Sequence, residues 1–446
     1  MRLEYYFDFT CPFAYLGSFE VEELARRTGA ELVWRPMLLG GVLRAVGAEH
    51  GLGNEPLAKR VDHLVDMRRW SEVRGLPLAM PPGHPQRSVR ALRTLLAVDE
   101  ARWPAMIHEL YRSYWERGEQ IGEPEALTRA LGAAGLDGAE VERALAATDD
   151  AAIKDELRRR TDEAVARGVF GAPTLFVHTD DGAEHMFWGQ DRLDLVEAVL
   201  GGWRPGQGAP PARGVLPGRP DPVIAPGPAS TSASASSDGA EPAVIQFWYD
   251  FSSPYAYLAS TQIQALAARA GARLEWRPML LGAVFKELGG PNVPLLAMSE
   301  SRRRYMGREL DVWASAWQVP FRWNSIFPLR SITALRLALV AGDRIAEASL
   351  ALFRAAWVDN VDMEDPAQLA GVLGALGLDG AAMLAATREP ATKQRLIDLT
   401  GEAVKRGVFG APTFFVAHGG TERQFWGQDR LGLVERAAAG IEPPRS

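Results

Sequence analysis

Residues 167–177 read RGVFGAPTLFV, and residues 406–416 read RGVFGAPTFFV. In each stretch a helix-like run ends at a glycine, a Gly-Ala-Pro-Thr corner follows, and β-branched and aromatic residues then predict a strand. Because proline cannot donate to a β-ladder, Pro173 and Pro412 are expected at the starts of these strands. The corner therefore predicts a strand entrance whose backbone is left for another group to bind.

The repetition extends through the whole chain of 446 residues. WRPMLLG occurs at 34–40 and 276–282, and FWGQDRL occurs at 187–193 and 425–431. The period is too long for a stacked solenoid, so a whole domain has been duplicated. We predict a first copy over 1–202 and a second copy over 243–441. Residues 203–242 are rich in Pro, Gly, Ala and Ser and lack apolar periodicity, which is typical of a flexible linker.

Apolar periodicity predicts the same order of elements in each copy: a βαβ unit, a series of helices, a β-hairpin and a closing helix. In the first copy, a strand is expected over 2–9 and a helix from Cys11-Pro12 to about Thr28. The region 42–168 is almost entirely helical in period, with Ser88 as an N-cap. The fold class is therefore α/β with a helical insertion, duplicated.

Composition excludes several classes of function. The chain has 47% hydrophobic and 24% charged residues, which is ordinary globular composition, and its net charge of -7 disfavours nucleic acid and anionic membranes as partners. Cys11 is the only cysteine, so neither an internal disulfide nor a multi-cysteine zinc site can form, and no metal is expected. With no apolar stretch long enough to span a membrane, we expect a cytoplasmic protein that acts on a small molecule.

The repeated motifs resemble a known family. DFTCPFAYL at 8–16 and DFSSPYAYL at 250–258, together with GVFGAPT and FWGQDRL, are similar to the motifs of 2-hydroxychromene-2-carboxylate isomerases. These enzymes are relatives of kappa-class glutathione transferases within the DsbA-like thioredoxin fold. The resemblance covers both copies and implies a duplicated thioredoxin-like fold with an all-helical insertion, glutathione as cofactor and an aromatic 2-oxo acid as substrate. Because family members dimerise, it also implies that the two copies form an intramolecular pseudo-dimer.

The resemblance also implies roles for individual residues. Ser253 matches the catalytic serine that donates a hydrogen bond to the glutathione sulfur. Ala411 and a cis Pro412 match the backbone edge that pairs with the tripeptide. The remaining matches in the second copy are Gln428 and Asp429, which would grip the γ-glutamyl end, Asn292 near the tripeptide or substrate, and Arg430 as a further contact. The equivalent residues of the first copy are Ala172, Pro173, Gln190, Asp191 and Asn54.

The first copy departs from this pattern, because Cys11 stands where the second copy has Ser253. DsbA-like oxidoreductases carry Cys-Pro-X-Cys here, but Ala14 replaces the second cysteine, so the copy cannot run a dithiol cycle. A cysteine at a helix N-terminus typically has a pKa of roughly 3.5–7.5, which predicts a Cys11 thiolate, whereas the structural alternative is a buried, small apolar side chain. The structural alternatives for Ser253 and Asp429 are an N-cap and a helix-start carboxylate.

Three functions therefore remain open from the sequence. The first is a glutathione-dependent isomerase that works through Ser253. The second is a glutathione transferase or monothiol thiol-disulfide oxidoreductase that uses Cys11. The third is a non-catalytic module that binds glutathione or a peptide.

Overall fold

The computed structural model describes residues 1–48, 55–210 and 241–441. In the first copy, a β-α-β unit is followed by seven helices, a hairpin and a last helix. The elements are β1 (Arg2–Phe7), α1 (Pro12–Thr28), β2 (Glu31–Pro36), α2 (Leu39–Ala45), α3 (Leu57–Arg74), α4 (Val89–Leu96), α5 (Trp103–Trp115), α6 (Pro124–Ala133), α7 (Gly138–Ala147), α8 (Ala151–Ala166), β3 (Thr174–His178), β4 (Glu184–Trp188) and α9 (Leu193–Leu200).

The second copy repeats this order and adds one short helix. Its elements are β5 (Val244–Tyr249), α10 (Pro254–Arg269), β6 (Arg273–Pro278), α11 (Leu281–Glu287), α12 (Pro294–Ala297), α13 (Glu300–Ala316), α14 (Ile332–Val340), α15 (Ile345–Trp357), α16 (Pro366–Gly374), α17 (Gly380–Ala386), α18 (Pro390–Lys405), β7 (Thr413–His418), β8 (Thr421–Trp426) and α19 (Leu431–Ala438). Short 3-10 turns, Gln190–Arg192 and Gln428–Arg430, precede the last helix of each copy.

Each copy contains one four-stranded mixed sheet. The strand orders are β2-β1-β3-β4 and β6-β5-β7-β8. The first strand of each copy is parallel to the second and antiparallel to the third, and the last two strands form a hairpin. The predicted duplicated thioredoxin-like fold with a helical insertion is thus confirmed.

The alternation of side chains along β1 explains why both faces of the sheet are covered. Tyr5 and Phe7 face the main core, where both contact the edge of Trp34. Tyr6 faces the opposite side and packs with Phe176 in a smaller cluster. Apolar residues on both faces require helices on both sides, which the insertion and α1 supply.

Two sequence expectations are modified by local contacts. β1 ends at Phe7 rather than at residue 9, because the Asp8 carboxylate accepts a hydrogen bond from the Thr10 N–H at 3.0 Å and starts a turn. Most of the predicted linker lies outside the described residues, and its extent stays a prediction. At its described start, Trp203 is buried and its indole N–H donates to the Gly208 carbonyl at 2.8 Å.

Candidate active site

Cys11 and Ser253 occupy equivalent positions at the N-termini of α1 and α10. Each is the residue before the helix, and each is followed by a proline at the first helical position. The Sγ of Cys11 lies 3.1 Å from the Ala172 carbonyl oxygen, and the Ser253 hydroxyl donates to the Ala411 carbonyl oxygen at 2.9 Å. The fold therefore brings each of these side chains against the Gly-Ala-Pro-Thr corner of its own copy.

The corner has the open backbone that the sequence predicts. The Ala172–Pro173 and Ala411–Pro412 peptide bonds are both cis, which confirms the expectation for Pro412. Among the described residues, the N–H groups of Ala172 and Ala411 donate to no partner. These donors lie beside the Cys11 and Ser253 side chains, so an extended peptide could pair with them as an added strand.

A glycine before each Ala-Pro pair makes room for a tryptophan behind the corner. A Cβ on Gly410 would lie 2.4 Å from the indole nitrogen of Trp426, and a Cβ on Gly171 would lie 2.6 Å from that of Trp188. No side chain heavier than hydrogen fits at such distances. The glycines are therefore required for the approach of the corner to these indoles.

Ser253 acts as an N-cap as well as a donor to the corner. Its Oγ accepts a hydrogen bond from the Ala256 N–H at 3.1 Å, while its proton points to the Ala411 carbonyl. The structural alternative for this residue is thus true, and it is compatible with the predicted role. A capping hydroxyl that is only 6% exposed is held in one place, where it can donate to a ligand that displaces the Ala411 carbonyl.

The thiolate predicted for Cys11 is wrong in this structure. Burial raises the pKa of the Cys11 thiol to about 12, against a smaller lowering by backbone hydrogen bonds from residues of the first turn of α1. The negative charge of nearby Asp8 raises this pKa further. Since the side chain is 6% exposed and lies 3.1 Å from a carbonyl oxygen, it behaves as a protonated thiol. The alternative of a buried, small apolar side chain describes Cys11 better.

A buried aspartate lies under the N-terminus of each of these helices. Asp250 accepts hydrogen bonds from the N–H groups of Ser252 and Leu281 and from the Ser331 hydroxyl. Its backbone oxygen accepts from the Ser253 N–H at 3.1 Å. Burial raises the pKa of Asp250, and these donors oppose that rise. The carboxylate therefore joins α10, α11 and the start of α14 at the point where Ser253 is held.

The first copy repeats this arrangement with Asp8 and Ser88. The Ser88 hydroxyl donates to the Asp8 carboxylate at 3.0 Å and makes no capping hydrogen bond to α4. The prediction that the Ser88 side chain caps this helix is therefore wrong. The backbone of Ser88 is in the helical region, and its hydroxyl instead meets a buried carboxylate that needs donors.

The residues predicted for the γ-glutamyl end are held next to the corner by a backbone hydrogen bond. The Gly189 N–H donates to the Pro173 carbonyl at 2.9 Å, and Gln190 and Asp191 come next in a 3-10 turn. Gln190 is 1% exposed, and both polar atoms of its amide lack a partner among the described residues. An unsatisfied buried amide of this kind is expected where a polar ligand binds.

Arginines hold the two aspartates at this end of the site. Asp191 lies 2.7 Å from Arg430 and 3.1 Å from Arg192, while Asp429 lies 2.8 Å from Arg192 and 3.3 Å from Arg430. Although burial raises the pKa of Asp191, the two guanidinium groups lower it to about 2. Arg430, predicted as a direct ligand contact, is instead occupied by carboxylates.

The two asparagines predicted near the ligand have no described contact that supports this role. Asn292 is exposed in the segment between α11 and α12 and makes no hydrogen bond to another described residue. Asn54 lies outside the described residues. The predicted roles of both asparagines, like those of the other site residues, stay predictions.

Sequence reasoning missed several charged residues around the site. Arg192 and the acidic pair Asp66 and Glu309 lie between the two copies, and Asp8 and Asp250 lie beneath the helix N-termini. The signal for the acidic pair was their equal spacing, four positions before Trp70 and Trp313. In the described ranges no cluster of His, Cys, Asp or Glu side chains could hold a metal ion. No helix within those ranges is long and apolar enough to cross a membrane.

Comparison with known proteins agrees with the duplicated architecture. The model of the DSBA-like thioredoxin domain matches residues 2–201 and again residues 244–439. A 2-hydroxychromene-2-carboxylate isomerase from Sphingobium xenophagum is 30% identical over 191 residues, which are 43% of this chain and 95% of the relative. Glutathione S-transferase kappa 1 from Caenorhabditis elegans is 30% identical over 214 residues, covering 45% of this chain and 90% of the relative.

A solved 2-hydroxychromene-2-carboxylate isomerase structure is 28% identical and covers 45% of this chain and 95% of its own, with a TM-score of 0.39. Each of these proteins is matched over most of its own length by less than half of this chain. The family model accounts for both copies, from the first strand of each to its last helix. The chain therefore belongs to the DSBA-like thioredoxin family and contains two copies of its domain.

Proposed function

We propose that this protein is a glutathione-dependent isomerase of 2-hydroxychromene-2-carboxylate-type aromatic 2-oxo acids, with turnover at the Ser253 site. The observation that carries the proposal is the placement of the Ser253 hydroxyl, at the N-terminus of α10 and 2.9 Å from the Ala411 carbonyl. Relatives named as these isomerases and as kappa-class transferases, at about 30% identity, support the same chemistry.

The residues of this copy fit glutathione. The unpartnered N–H of Ala411 offers a donor to the backbone of the tripeptide, and Ser253 offers a neutral hydroxyl to its sulfur. When bound, glutathione supplies a thiolate that adds reversibly to the conjugated substrate, so that the ring opens, the former double bond rotates and the tripeptide leaves unchanged. The buried, unsatisfied amide of Gln190 supports a polar ligand at the equivalent subsite of the first copy.

Each protein group has a separate task in this reaction. Ser253 turns its proton from the Ala411 carbonyl to the sulfur, and the N–H groups of the first turn of α10 favour negative charge there. A hydrogen bond to a charged group contributes about 1.5–3 kcal/mol, which corresponds to a thiol pKa lowered by about one to two units. Gln428 and Asp429 hold the γ-glutamyl end, so that the sulfur meets Ser253 in a fixed position.

We also propose that the two copies form an intramolecular pseudo-dimer. Contacts between them include the ion pairs of Arg192 with Asp429 and of Arg430 with Asp191. The backbone N–H of Trp188 donates to the Tyr305 hydroxyl at 2.9 Å, and α3 packs against β8. Small-angle scattering should give a compact particle of one chain, and an extended particle with two separated bodies would contradict the proposal.

The experiment compares Ser253→Ala with Cys11→Ser in the full chain. Glutathione-dependent isomerisation of a hydroxychromene carboxylate is followed by absorbance, and the thiol pKa of bound glutathione is followed by the ultraviolet absorbance of its thiolate. Ser253→Ala should raise this pKa by about one to two units and lower turnover at neutral pH at least about tenfold. Cys11→Ser, the matched control, should leave turnover unchanged or raise it.

The same variants test the alternatives. If the parent protein conjugates glutathione to an electrophile without isomerising the chromene, and Cys11→Ser loses that conjugation, the protein is instead a transferase that uses Cys11. Loss of all activity in Cys11→Ser alone would favour an oxidoreductase that uses Cys11. Glutathione binding that raises the melting temperature, without turnover on any chromene-type substrate, would contradict the isomerase and favour the binding module.

A further inference from the structure

Six charged side chains meet where the two copies touch, and we call them the crossed cluster. The first copy contributes Asp66, Asp191 and Arg192, and the second copy contributes Glu309, Asp429 and Arg430. All six side chains are at most 14% exposed, so their interactions are only weakly screened by solvent. The margin of the cluster is formed by three charged residues of α3, namely Lys59, Asp62 and Arg69. The charges of Asp66 and Arg430 act on Asp62 and Arg69.

The shortest contacts in the cluster run between copies. Arg192 of the first copy lies 2.8 Å from Asp429 and 2.8 Å from Glu309, both in the second copy. Arg430 of the second copy lies 2.7 Å from Asp191 and 2.8 Å from Asp66, both in the first copy. Within a copy, each arginine is farther from the aspartate that precedes it, at 3.1 Å for Arg192 and 3.3 Å for Arg430.

From this crossing we propose that each arginine positions the aspartate of the other copy's glutathione site, so that Arg192 of the Cys11 copy prepares the Ser253 site through Asp429. The inference rests on the proposed function, because it assigns Asp429 to glutathione. Arg192 is a positioning residue in this scheme and does not touch the ligand.

The geometry around Asp429 shows why such support is needed. The carboxylate turns back on its own main chain, and a Cβ on Gly427 would lie 2.4 Å from Asp429 Oδ1. Gly427 has a φ of 105°, which side chains rarely adopt, so a glycine is required there. Both arginine contacts are made by Oδ2. A carboxylate in this buried position would lose its orientation if its nearest cationic partner, Arg192, were removed.

The ion pairs between the copies give the Cys11 copy a role that does not depend on the reactivity of Cys11. Even with a protonated, buried Cys11, this copy supplies Arg192 to Asp429. The Ser253 site is therefore complete only when the first copy is packed against it.

The test uses the full chain, with glutathione as the probe and Arg192→Met as the main variant. We expect the KM for glutathione in Ser253-dependent turnover to rise about tenfold, with kcat within about twofold of the parent. Arg430→Met is the matched control, because it removes the same side chain from the copy that carries Ser253. Its shortest contacts are with Asp191 and Asp66 of the first copy, and Asp429 lies farther away at 3.3 Å, so we expect a smaller rise in its KM, below about threefold.

Stability must be separated from positioning, since Arg192→Met leaves the buried Glu309 without a cation, with only the Tyr255 and Tyr305 hydroxyls donating to it. The double variant Arg192→Met/Glu309→Gln removes that charge and still leaves Asp429 without Arg192. A folded double variant with the parental KM would overturn the proposal, as would a larger KM change in Arg430→Met than in Arg192→Met. If neither Met variant folds, Arg192→Lys decides. Lysine keeps the charge but not the fork that reaches both carboxylates, so an unchanged KM in Arg192→Lys would equally overturn it.

Calorimetry with glutathione distinguishes this inference from the proposed function. A parent protein that binds no glutathione contradicts the proposed function before any variant is compared. A parent that binds glutathione, with Arg192 variants that bind it equally well, contradicts only the crossed positioning.

Discussion

The hydroxyl of Ser331 donates to the carboxylate of Asp250 at 2.5 Å, and this contact fastens the start of α14 to the strand end that precedes Ser253. Both residues are nearly inaccessible, with 3% and 1% of their surface exposed. The helical insertion and the thioredoxin-like unit are therefore joined at a buried carboxylate directly beneath the candidate active site.

Ser331→Ala should destabilise the second copy by about 1–3 kcal/mol, because the buried Asp250 loses a donor that nothing replaces. Urea denaturation followed by tryptophan fluorescence measures the change. The matched control is Ser260→Ala, which removes an equally buried hydroxyl whose acceptor is the Tyr257 carbonyl rather than a carboxylate. Equal effects of the two substitutions would show that the Asp250 contact has no special importance.

Cys11 should be almost unreactive in the folded protein. Burial raises its pKa to about 12, and only the thiolate reacts with alkylating reagents. We expect slow labelling by iodoacetamide at neutral pH in the native protein and rapid labelling in denaturant, measured by mass spectrometry. Labelling of the native protein as fast as that of a free thiol would contradict this expectation and support the thiolate that the helix position predicts.

Glu4→Gln should lower the stability of the first copy by about 3 kcal/mol at neutral pH. Burial alone would raise the pKa of Glu4, but hydrogen bonds from Arg167, Arg35 and His178 lower it to about 2. A lowered folded-state pKa means that the carboxylate stabilises the fold above its unfolded pKa of about 4.3. That contribution is lost as the pH falls from about 4.3 to about 2, so the difference between parent and variant should shrink over this window.

The second copy supplies the control for this prediction. It has Gln246 at the position equivalent to Glu4. The residue paired with Gln246 on the neighbouring strand is Glu275, whereas the residue paired with Glu4 is Val33, so the carboxylate lies on the other strand of the pair. Gln246 accepts from Arg406 at 2.6 Å and donates to Glu275 at 3.0 Å. The double variant Glu4→Gln/Val33→Glu should therefore recover part of the lost stability. No recovery would contradict the equivalence of the two arrangements.

Asp62→Asn should stabilise the protein at neutral and alkaline pH by a few kcal/mol. Burial and the neighbouring Asp66 raise the pKa of Asp62 to about 7, although Arg430 and Arg69 oppose the rise. A raised folded-state pKa means that the protonated form is favoured by folding. Stability is therefore highest below the unfolded pKa of about 3.9 and falls as the pH rises to about 7.

Thermal unfolding across this pH range measures the effect of Asp62, and the variant should show a flatter profile than the parent. Asp311→Asn is a suitable control, since burial raises the pKa of Asp311 without a neighbouring carboxylate as a further cause. A parent profile with no decline between about pH 4 and pH 7 would contradict the prediction.

The sequence by itself determined the duplication, the order of elements and the two corners. Local signals were sufficient for these, because proline, glycine and apolar periodicity act over a few residues: α1 begins at Pro12 and ends before Gly29, as its pattern indicates. The same local reasoning placed Cys11 and Ser253 at equivalent helix starts, and the resemblance to the isomerase family placed them opposite identical Ala-Pro pairs.

Only the tertiary structure decided the state of these groups and their partners. Helix position alone predicted an ionised Cys11, but burial of the thiol has the larger effect and cannot be read from neighbours in sequence. Ser88 has the sequence of a cap, yet its hydroxyl meets Asp8, eighty positions away along the chain. Asp429 of the second copy is paired with Arg192 of the first, and long-range electrostatic contacts of this kind depend on distances that exist only in the folded chain.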